Sequence, residues 1–575
     1  MVIVNKEIFM QRNSKTLKKI YFLIQKYYFP LIIIAFFAYS AIVIYKTSYV
    51  LYGIRFFSLS DDEMTGMRYA YNLAHGYGLL FNPHAQPVEG ITNPLWVIFM
   101  AIWHLLPIPI EKISVFIQIS GAILTAAALY FIKKIAELIS KSTLLVVIPS
   151  ILLSAFYFPL INWNLVQGTE VSILMFVLSW AAYLTLKSAR DKKFSPLLFI
   201  VLGVGTLIRM DFLLSGIIII AFLFFVDRKN RLKNVFVGFA MILAFLAGQE
   251  ILRILYYHEI LPNTYYQKMT GFPILKRLTR GLYFGIKSFS PEIGAAENSQ
   301  IIQFFERLFI FFMLIIPFIY SLIKKNKPLM FLLGLFAAQE LYSIYVGGDV
   351  WEYYGGANRF IAFTMPLFFV SLMMTIYSFR QLLKKYYLRM GNKYKLIEII
   401  IICIIFILIN KANRYELPRL FLSMPPTTVD ADQVNQSRTK EAYELMQIVK
   451  PNARIAVAAS GSVPYFVHNY FCDILGKNDN TIAHMQAILD PKSLNIFNIK
   501  AYTSYQPGHI KWDNVYLTNN CKPDIYSEFW QAPYDKSDQY VLSHGYVKMK
   551  SADGLFPYYV LKNSPNLKFE KLIPQ

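Results

Sequence analysis

Apolar runs of helical length alternate with short polar or basic turns along most of the chain. They fall at about residues 30–50, 112–132, 142–161, 171–187, 196–209, 211–226, 234–252, 301–323, 328–346, 360–378 and 395–411. At ~20 residues per crossing they predict roughly eleven membrane-spanning helices. The runs at 196–209 and 211–226 are short for spans and read as a hairpin with Arg209 and Asp211 at its tip. A further apolar stretch, Pro94 to Ile110, is broken by Pro107 and Pro109. It predicts a partial insertion packed against protein, because irregular backbone survives at membrane depth only when shielded from lipid.

After Asn410 the pattern becomes that of a water-exposed chain. Arg454-Ile-Ala-Val-Ala-Ala running into Ser460-Gly461-Ser462 predicts a buried strand, a turn and a helix. Residues 539–562 alternate like two strands joined near Ala552-Asp553-Gly554. The expected architecture is a polytopic α-helical membrane protein with a C-terminal extracytoplasmic mixed α/β domain. Its parts are a basic N-terminus over 1–28, a transmembrane domain over 29–411 with a first outer loop at 53–93, and the outer domain over 412–575.

Composition and charge sharpen this reading. The chain has 575 residues, of which 56% are hydrophobic and 16% charged, too apolar for a soluble protein of that length. A net charge of +22 would suggest nucleic acid in a soluble chain. Here Lys and Arg sit mostly in turns between apolar runs, which is a topology signal and excludes a nucleic-acid partner. Lys6, Arg12, Lys15, Lys18, Lys19 and Lys26 place the N-terminus in the cytoplasm, and the first apolar run, lacking a cleavage site, reads as a retained signal anchor. An odd number of crossings puts the outer domain on the far side of the plasma membrane. Cys472 and Cys521 then lie in an oxidising compartment, which permits a disulfide.

With this topology the informative polar groups gather outside. Ser60-x-x-Glu63 has the pattern of a capping box, so a helix is expected from Asp61 with Asp61, Asp62 and Glu63 in its first turn. Asp61, Thr65 and Arg68 share one face and Met64, Met67, Tyr71 and Ala74 another, which predicts an amphipathic helix lying along the membrane and ending near Gly76. Acidic side chains in a first turn complement the helix dipole, which lowers their pKa values. The loop continues through Asn82-Pro83, Glu89-Gly90 and Thr92-Asn93-Pro94, more polar groups than a connection needs.

These residues resemble a known family. Asp61-Asp62, Arg68-Tyr69-Ala70, Asn72-Leu73, Gly76-x-Gly78, Phe81-Asn82-Pro83, Val88-Glu89-Gly90 and Thr92-Asn93-Pro94-Leu95-Trp96 are similar to the first outer loop of GT-C-fold glycosyltransferases. Within these the similarity is to the subgroup of mycobacterial terminal arabinofuranosyltransferases, whose architecture is shared by flagellar motor control membrane proteins. Gly168-Thr169-Glu170, Arg209-Met210-Asp211, Leu261-Pro262-Asn263-Thr264-Tyr265-Tyr266-x-Lys268 and Tyr345-Val346-Gly347-Gly348-Asp349 with Arg359 continue the resemblance. In the outer domain it is carried by Asp473-Ile-Leu-Gly476-x-Asn478-Asp479 and Pro507-Gly508-His509-x-Lys511-x-Asp513.

The resemblance implies transfer of a sugar from a polyprenyl-phosphate donor to a glycan or glycolipid acceptor on the outer face. Asp61 or Asp62 is then the general base, with Asp61 preferred because it shares a face with Arg68. Arg209, Lys268 and Arg359 are the expected partners of the donor phosphate. Arg68, Glu89, Asn93, Asn263, Asp349 and His509 are expected at the substrates or, for Glu89, Asn93 and Asp349, in holding the loop. The resemblance fixes no cofactor, and some relatives use a divalent ion, for which Asp62 with Asp349 are the available ligands. The main rival is a non-enzymatic membrane protein supporting a flagellar motor or envelope complex. A transporter is disfavoured because Gln249, Glu250 and Glu398 are the only notable polar groups in the apolar runs and sit near their ends.

Overall fold

The computed structural model describes residues 2–288, 300–349, 357–387, 431–489, 507–532 and 535–575. Among the described residues, five helices are long and apolar enough to cross a membrane: Phe22–Lys46, Ile110–Ser140, Val171–Asp191, Arg231–Tyr257 and Lys327–Val346. A bent pair, Leu144–Phe156 with Phe158–Val166 at 49°, makes a sixth. The break falls at Tyr157, whose backbone is extended, and Pro159 then occupies the first turn of the next helix, where its missing N–H costs nothing. Pro94–His104, Pro196–Ile208, Phe212–Val226 and Phe311–Ile323 are shorter apolar helices. Eleven full-length spans are therefore not reached by length and composition, and the run at 395–411 and the expected domain boundary at 411–412 lie outside the described residues.

The short helices belong to the bundle nonetheless. The Val171–Asp191 helix leaves Glu170 and ends at basic Arg190, and Pro196–Ile208 returns to Arg209. Phe212–Val226 leaves again from Asp211, and Arg231–Tyr257 comes back to Arg253. Glu170, Arg209, Asp211 and Arg253 line one cavity, so these helices run back and forth between one polar end and one basic end. At ~1.5 Å per residue a helix of 13 residues spans only about 20 Å.

The N-terminal helix is continuous from Val2 to Lys46, with Pro30 inside it. It is followed by a short hairpin, β1 (Tyr49–Leu51) and β2 (Ile54–Phe56). The Asp61–Ala74 helix starts where expected, with Ser60 Oγ accepting from Glu63 N at 3.4 Å. Only half of the capping box forms, because Ser60 N donates to Gln167 O and the Glu63 carboxylate turns inward toward Asn93.

This helix does not lie along the membrane. Met64 and Met67 on one face and Thr65 and Arg68 on the other are all buried. Met64, Met67, Tyr69 and Trp96 share one apolar core with Ile455, Val463 and Phe466 of the outer domain. The helix is thus clamped between the bundle and that domain, which hides the polar face the amphipathic pattern assigns to water.

The outer domain is built on a mixed sheet ordered β4-β3-β5-β7-β6-β8. Its strands are β3 (Arg454–Val457), β4 (Tyr470–Asp473), β5 (Ile525–Tyr526), β6 (Tyr546–Ser551), β7 (Pro557–Leu561) and β8 (Leu572–Pro574). β3 runs parallel to β4 and β5, and β6 and β7 form the expected hairpin. The alternating segment proves shorter than the sequence suggests, since Ser537–Ser543 is helical. Cys472 of β4 is disulfide-bonded to Cys521, with Cα atoms 6.2 Å apart.

Arg68 ties loop to domain. Its guanidinium donates to the carbonyls of Phe81 (2.6 Å), Val467 (3.1 Å) and Asn469 (2.8 Å), to that of Pro464, and to Asn82 Oδ1 (3.1 Å). It lies over the rings of Phe81 and Phe471. Arg68→Met leaves the carbonyls of Pro464, Val467 and Asn469 without this donor, at ~1–3 kcal/mol each for those that stay dry, while Phe81 O keeps Asn72 Nδ2 at 3.0 Å. The expected result is a lowered melting temperature of the solubilised protein and protease cleavage around residues 464–469 before the helical bundle is cut.

Candidate functional site

Two cavities meet where the Asp61–Ala74 helix begins. The larger, about 930 Å³, is walled mainly by apolar side chains such as Leu213, Leu246 and Leu261. Leu243 and Leu341, exposed on the outside of the bundle, also line it, so it opens toward the surface that lipid would cover. Its inner end is charged, with Glu170, Arg209, Asp211, Lys268, Asp349 and Arg359. The smaller, about 300 Å³, lies between the loop helix and the outer domain and is lined by Asp61, Asp62, Lys477, His509 and Trp530 among others. Lys268 and Pro507 line both.

Neighbouring carboxylates have opposite environments. Asp61 Oδ1 accepts from Ser462 N at 3.2 Å, and the turn that supplies this N–H passes so close that a Cβ on Gly461 would sit 2.1 Å from the Asp61 carbonyl oxygen. Only glycine allows that approach. Burial pushes the Asp61 carboxyl above its usual range, outweighing the attraction of Arg438 and Lys477. The expectation that a first-turn Asp is a weakened base is therefore corrected for Asp61. Asp62 is half-buried, but Lys477, Arg359 and Lys268 more than offset its desolvation and hold it well below the usual carboxylate range. Its oxygens are 2.8 Å from Lys477 Nζ and 3.2 Å from Arg359.

Arg359 also pairs with Asp349 at 2.9 Å. Asp349 is aimed there by Gly347 and Gly348, both at positive φ (89° and 81°), a turn that closes the Lys327–Val346 helix. Asp62 and Asp349 thus converge, but on a guanidinium between them. No group of three or more His, Cys, Asp or Glu side chains among the described residues is arranged to hold a metal, and this pair, already neutralised by a cation, does not fit a divalent ion.

Arg209 is held by Asp211 at 2.6 and 2.7 Å and by Glu170 at 2.9 Å, with Phe360 and Phe363 rings against its faces. These carboxylates use three of its five N–H groups, and Arg209 lines the larger cavity. Asn93 Nδ2 bridges Glu170 (3.1 Å) and Glu63 (3.5 Å). Burial and the nearby Glu170 raise Glu63, while Arg209 and Arg359 offset burial and keep Glu170 ionised.

Lys268 differs from the two arginines. No carboxylate lies within ion-pair distance of it among the described residues, and burial lowers its ammonium to about 8 against the pull of Asp62.

The sequence-predicted residues therefore divide. Asp61, Asp62, Arg209, Lys268, Arg359, Asp349 and His509 line one cavity or the other. Arg68, Glu89, Asn93 and Asn263 line neither. Glu89 is bound by Arg253 at 2.5 Å, and Asn263 Nδ2 donates to the carbonyls of Gly476 (2.9 Å), Lys477 (3.0 Å) and Asp479 (3.3 Å). Asn263 thereby presents Lys477, a residue whose position between Gly476 and Asn478 carries no signal of its own in the sequence. Gly461, Ser462, Arg438, Glu528 and Trp530 were also missed. For Gly461 and Ser462 the signal is the turn after β3, and their partner Asp61 lies some 400 positions earlier.

Comparison with known proteins gives little more. The model of a family described as a domain of unknown function (DUF8728) matches residues 429–553, most of the outer domain. No curated protein matches the chain. Among solved structures, similar folds include the Archaeoglobus fulgidus oligosaccharyltransferase tethered to an acceptor peptide, with a TM-score of 0.49 and 14% identity over 95% of this chain and 76% of that one. The archaeal oligosaccharyltransferase from the same organism in complex with an inhibitory peptide and a dolichol-phosphate gives 0.49 and 12% over 94% and 75%.

Proposed function

We propose that this protein is a GT-C-type membrane glycosyltransferase that moves a sugar from a polyprenyl-phosphate donor to a glycan acceptor at the outer face of the plasma membrane. The observation that carries the reading is the junction of the two cavities. An apolar cavity open to the bundle surface and ending in Arg209, Lys268 and Arg359 suits a lipid phosphate, and a polar one holding Asp61 adjoins it. The motif run in the first outer loop supports the same assignment.

In this reading the acceptor hydroxyl attacks the anomeric carbon from the smaller cavity, with inversion. The bond from that carbon to the phosphate oxygen breaks, and the hydroxyl proton passes to Asp61. The polyprenyl phosphate leaves with one more negative charge, met by Lys268, Arg209 and Arg359. Asp62 keeps Lys477 and Arg359 in place. Mass spectrometry of surface glycans with and without the gene tests the reading, and an unchanged glycan profile sinks it in favour of a supporting role in a motor or envelope complex.

The pH profile supplies a second test. Asp61 acts only when ionised, so kcat/KM rises with pH through its raised pKa. Lys268 binds phosphate only when protonated, so kcat/KM falls as pH passes about 8. Lys268→Arg keeps the charge at high pH and is expected to remove the falling limb while leaving the rising one.

A further inference from the structure

The smaller cavity carries more information than its contact with Asp61. We infer that it is the acceptor subsite, built for the neutral terminal sugar ring of a glycan, with the Trp530 indole as the surface on which that ring stacks. This rests on the glycosyl-transfer reading above.

Position comes first. Asp61 lines only the smaller cavity, Arg209 and Arg359 only the larger, and Lys268 stands between. A proton acceptor on one side and phosphate partners on the other put the attacking hydroxyl in the smaller space.

Charge comes next. The acids facing it are Asp61, Asp62 and Glu528, and the cations are Lys268, Arg438 and Lys477. The signs balance, and Asp62–Lys477 and Glu528–Arg438 are already ion-paired. An anionic acceptor finds no surplus cation here other than the one facing the donor phosphate.

Shape and wall chemistry narrow the class. A volume of about 300 Å³ is at the lower end of small-molecule sites, ~300–1,000 Å³, and suits a ring, not a buried length of polymer. β3, which runs into the cavity wall at Ala458 and Ala459, offers an extended peptide no free edge, since it is flanked by β4 and β5 and the N–H groups of Ala458 and Ala459 both donate to Glu528.

Two aromatic side chains of the wall, Phe529 and Trp530, are partly buried against the domain core. Phe529 is stacked on Tyr559 at 4.6 Å, so one of its faces is already taken. Trp530 is anchored through its carbonyl, which accepts from Asn514 Nδ2 at 2.9 Å, and its indole stands 5.4 Å from the His509 ring, partly exposed to the cavity. A sugar ring has an apolar C–H face and a polar rim, and an indole beside carboxylates and an imidazole matches both.

The test uses the full-length protein in nanodiscs and two readouts. Saturation-transfer NMR follows methyl glycosides of mannose, galactose, rhamnose and arabinofuranose, methyl glucuronide, and a Ser/Thr-containing hexapeptide. Native mass spectrometry follows undecaprenyl phosphate. At least one neutral glycoside is expected to bind the wild type and to bind Trp530→Ala about tenfold more weakly or worse, while undecaprenyl phosphate binds both alike. If the Ala variant fails to fold, Trp530→Leu, which keeps bulk without a ring, takes its place. The inference is overturned if no neutral glycoside binds, if binding ignores Trp530, or if the glucuronide or the peptide is the ligand that depends on it. Failure of the wild type to bind undecaprenyl phosphate instead overturns the donor reading on which it rests.

Discussion

Asp61→Asn is expected to lower the rate of sugar transfer by about 10²–10⁴-fold, the range that a positioned general base contributes. The substitution is close to isosteric, and the amide oxygen can still accept from Ser462 N, whose hydrogen bond to Asp61 Oδ1 fixes the side chain. What is lost is the ability to take a proton. The loss should therefore appear in kcat, with donor affinity and melting temperature near wild type.

Asp62→Asn separates the neighbours. Asp62 is bound by Lys477 and Arg359, and a carboxylate so neutralised is a poor proton acceptor. Its replacement takes a partner from Lys477 and leaves Arg359 held by Asp349 alone among the described residues, and because Arg359 lines the donor cavity this should change donor KM as well as kcat. Radiolabelled sugar transfer in membranes, measured against donor concentration, distinguishes the two patterns. Full activity in the double variant Asp61→Asn with Asp62→Asn rules out either aspartate as the general base.

The difference between these adjacent residues marks the limit of what the chain discloses before its fold is known. The helix beginning at Asp61, its Ser60 cap, the hairpin tip at Arg209 and Asp211 and the turn after β3 all follow from local pattern, because capping, loop chemistry and hydrophobic period are properties of a few consecutive residues. Those elements are present in the structure. Their environments are not local. Whether the polar face of the Asp61–Ala74 helix meets water or protein depends on a domain more than 350 residues later, which buries Arg68 against Pro464 and Val467. The same burial reverses the expected weakening of Asp61, and Lys477, from that domain, makes the difference for Asp62.

Roles of long polar side chains were hardest to read for the same reason. Arg68, Glu89 and Asn263 have the residue types of a sugar site, yet the Arg68 guanidinium and the Asn263 amide N–H groups are spent on backbone carbonyls, with Asn82 for Arg68, and Glu89 is spent on Arg253. The shared observation is that this loop has few groups left for a ligand apart from its two aspartates. The rest of its polar content holds those aspartates between bundle and domain.

Arg209→Met is the variant expected to damage the fold most. Asp211 and Glu170 lie at 9% and 2% exposure with their carboxylates on this guanidinium. Removing one member of a buried ion pair costs ~3–5 kcal/mol, because the remaining charge has neither water nor partner. Here two carboxylates would be left, with Asn93 the only other hydrogen-bond donor to Glu170 among the described residues. Arg359 is engaged by Asp62 and Asp349 and cannot replace Arg209 without releasing them. Thermal denaturation of the purified protein should show a large fall in melting temperature for Arg209→Met. A smaller fall is expected when Glu170→Gln and Asp211→Asn are added, since the neutral amides of the triple variant no longer need a cation. If the triple variant is no more stable than Arg209→Met alone, the arginine acts through its contacts with Phe360 and Phe363 and not through its charge.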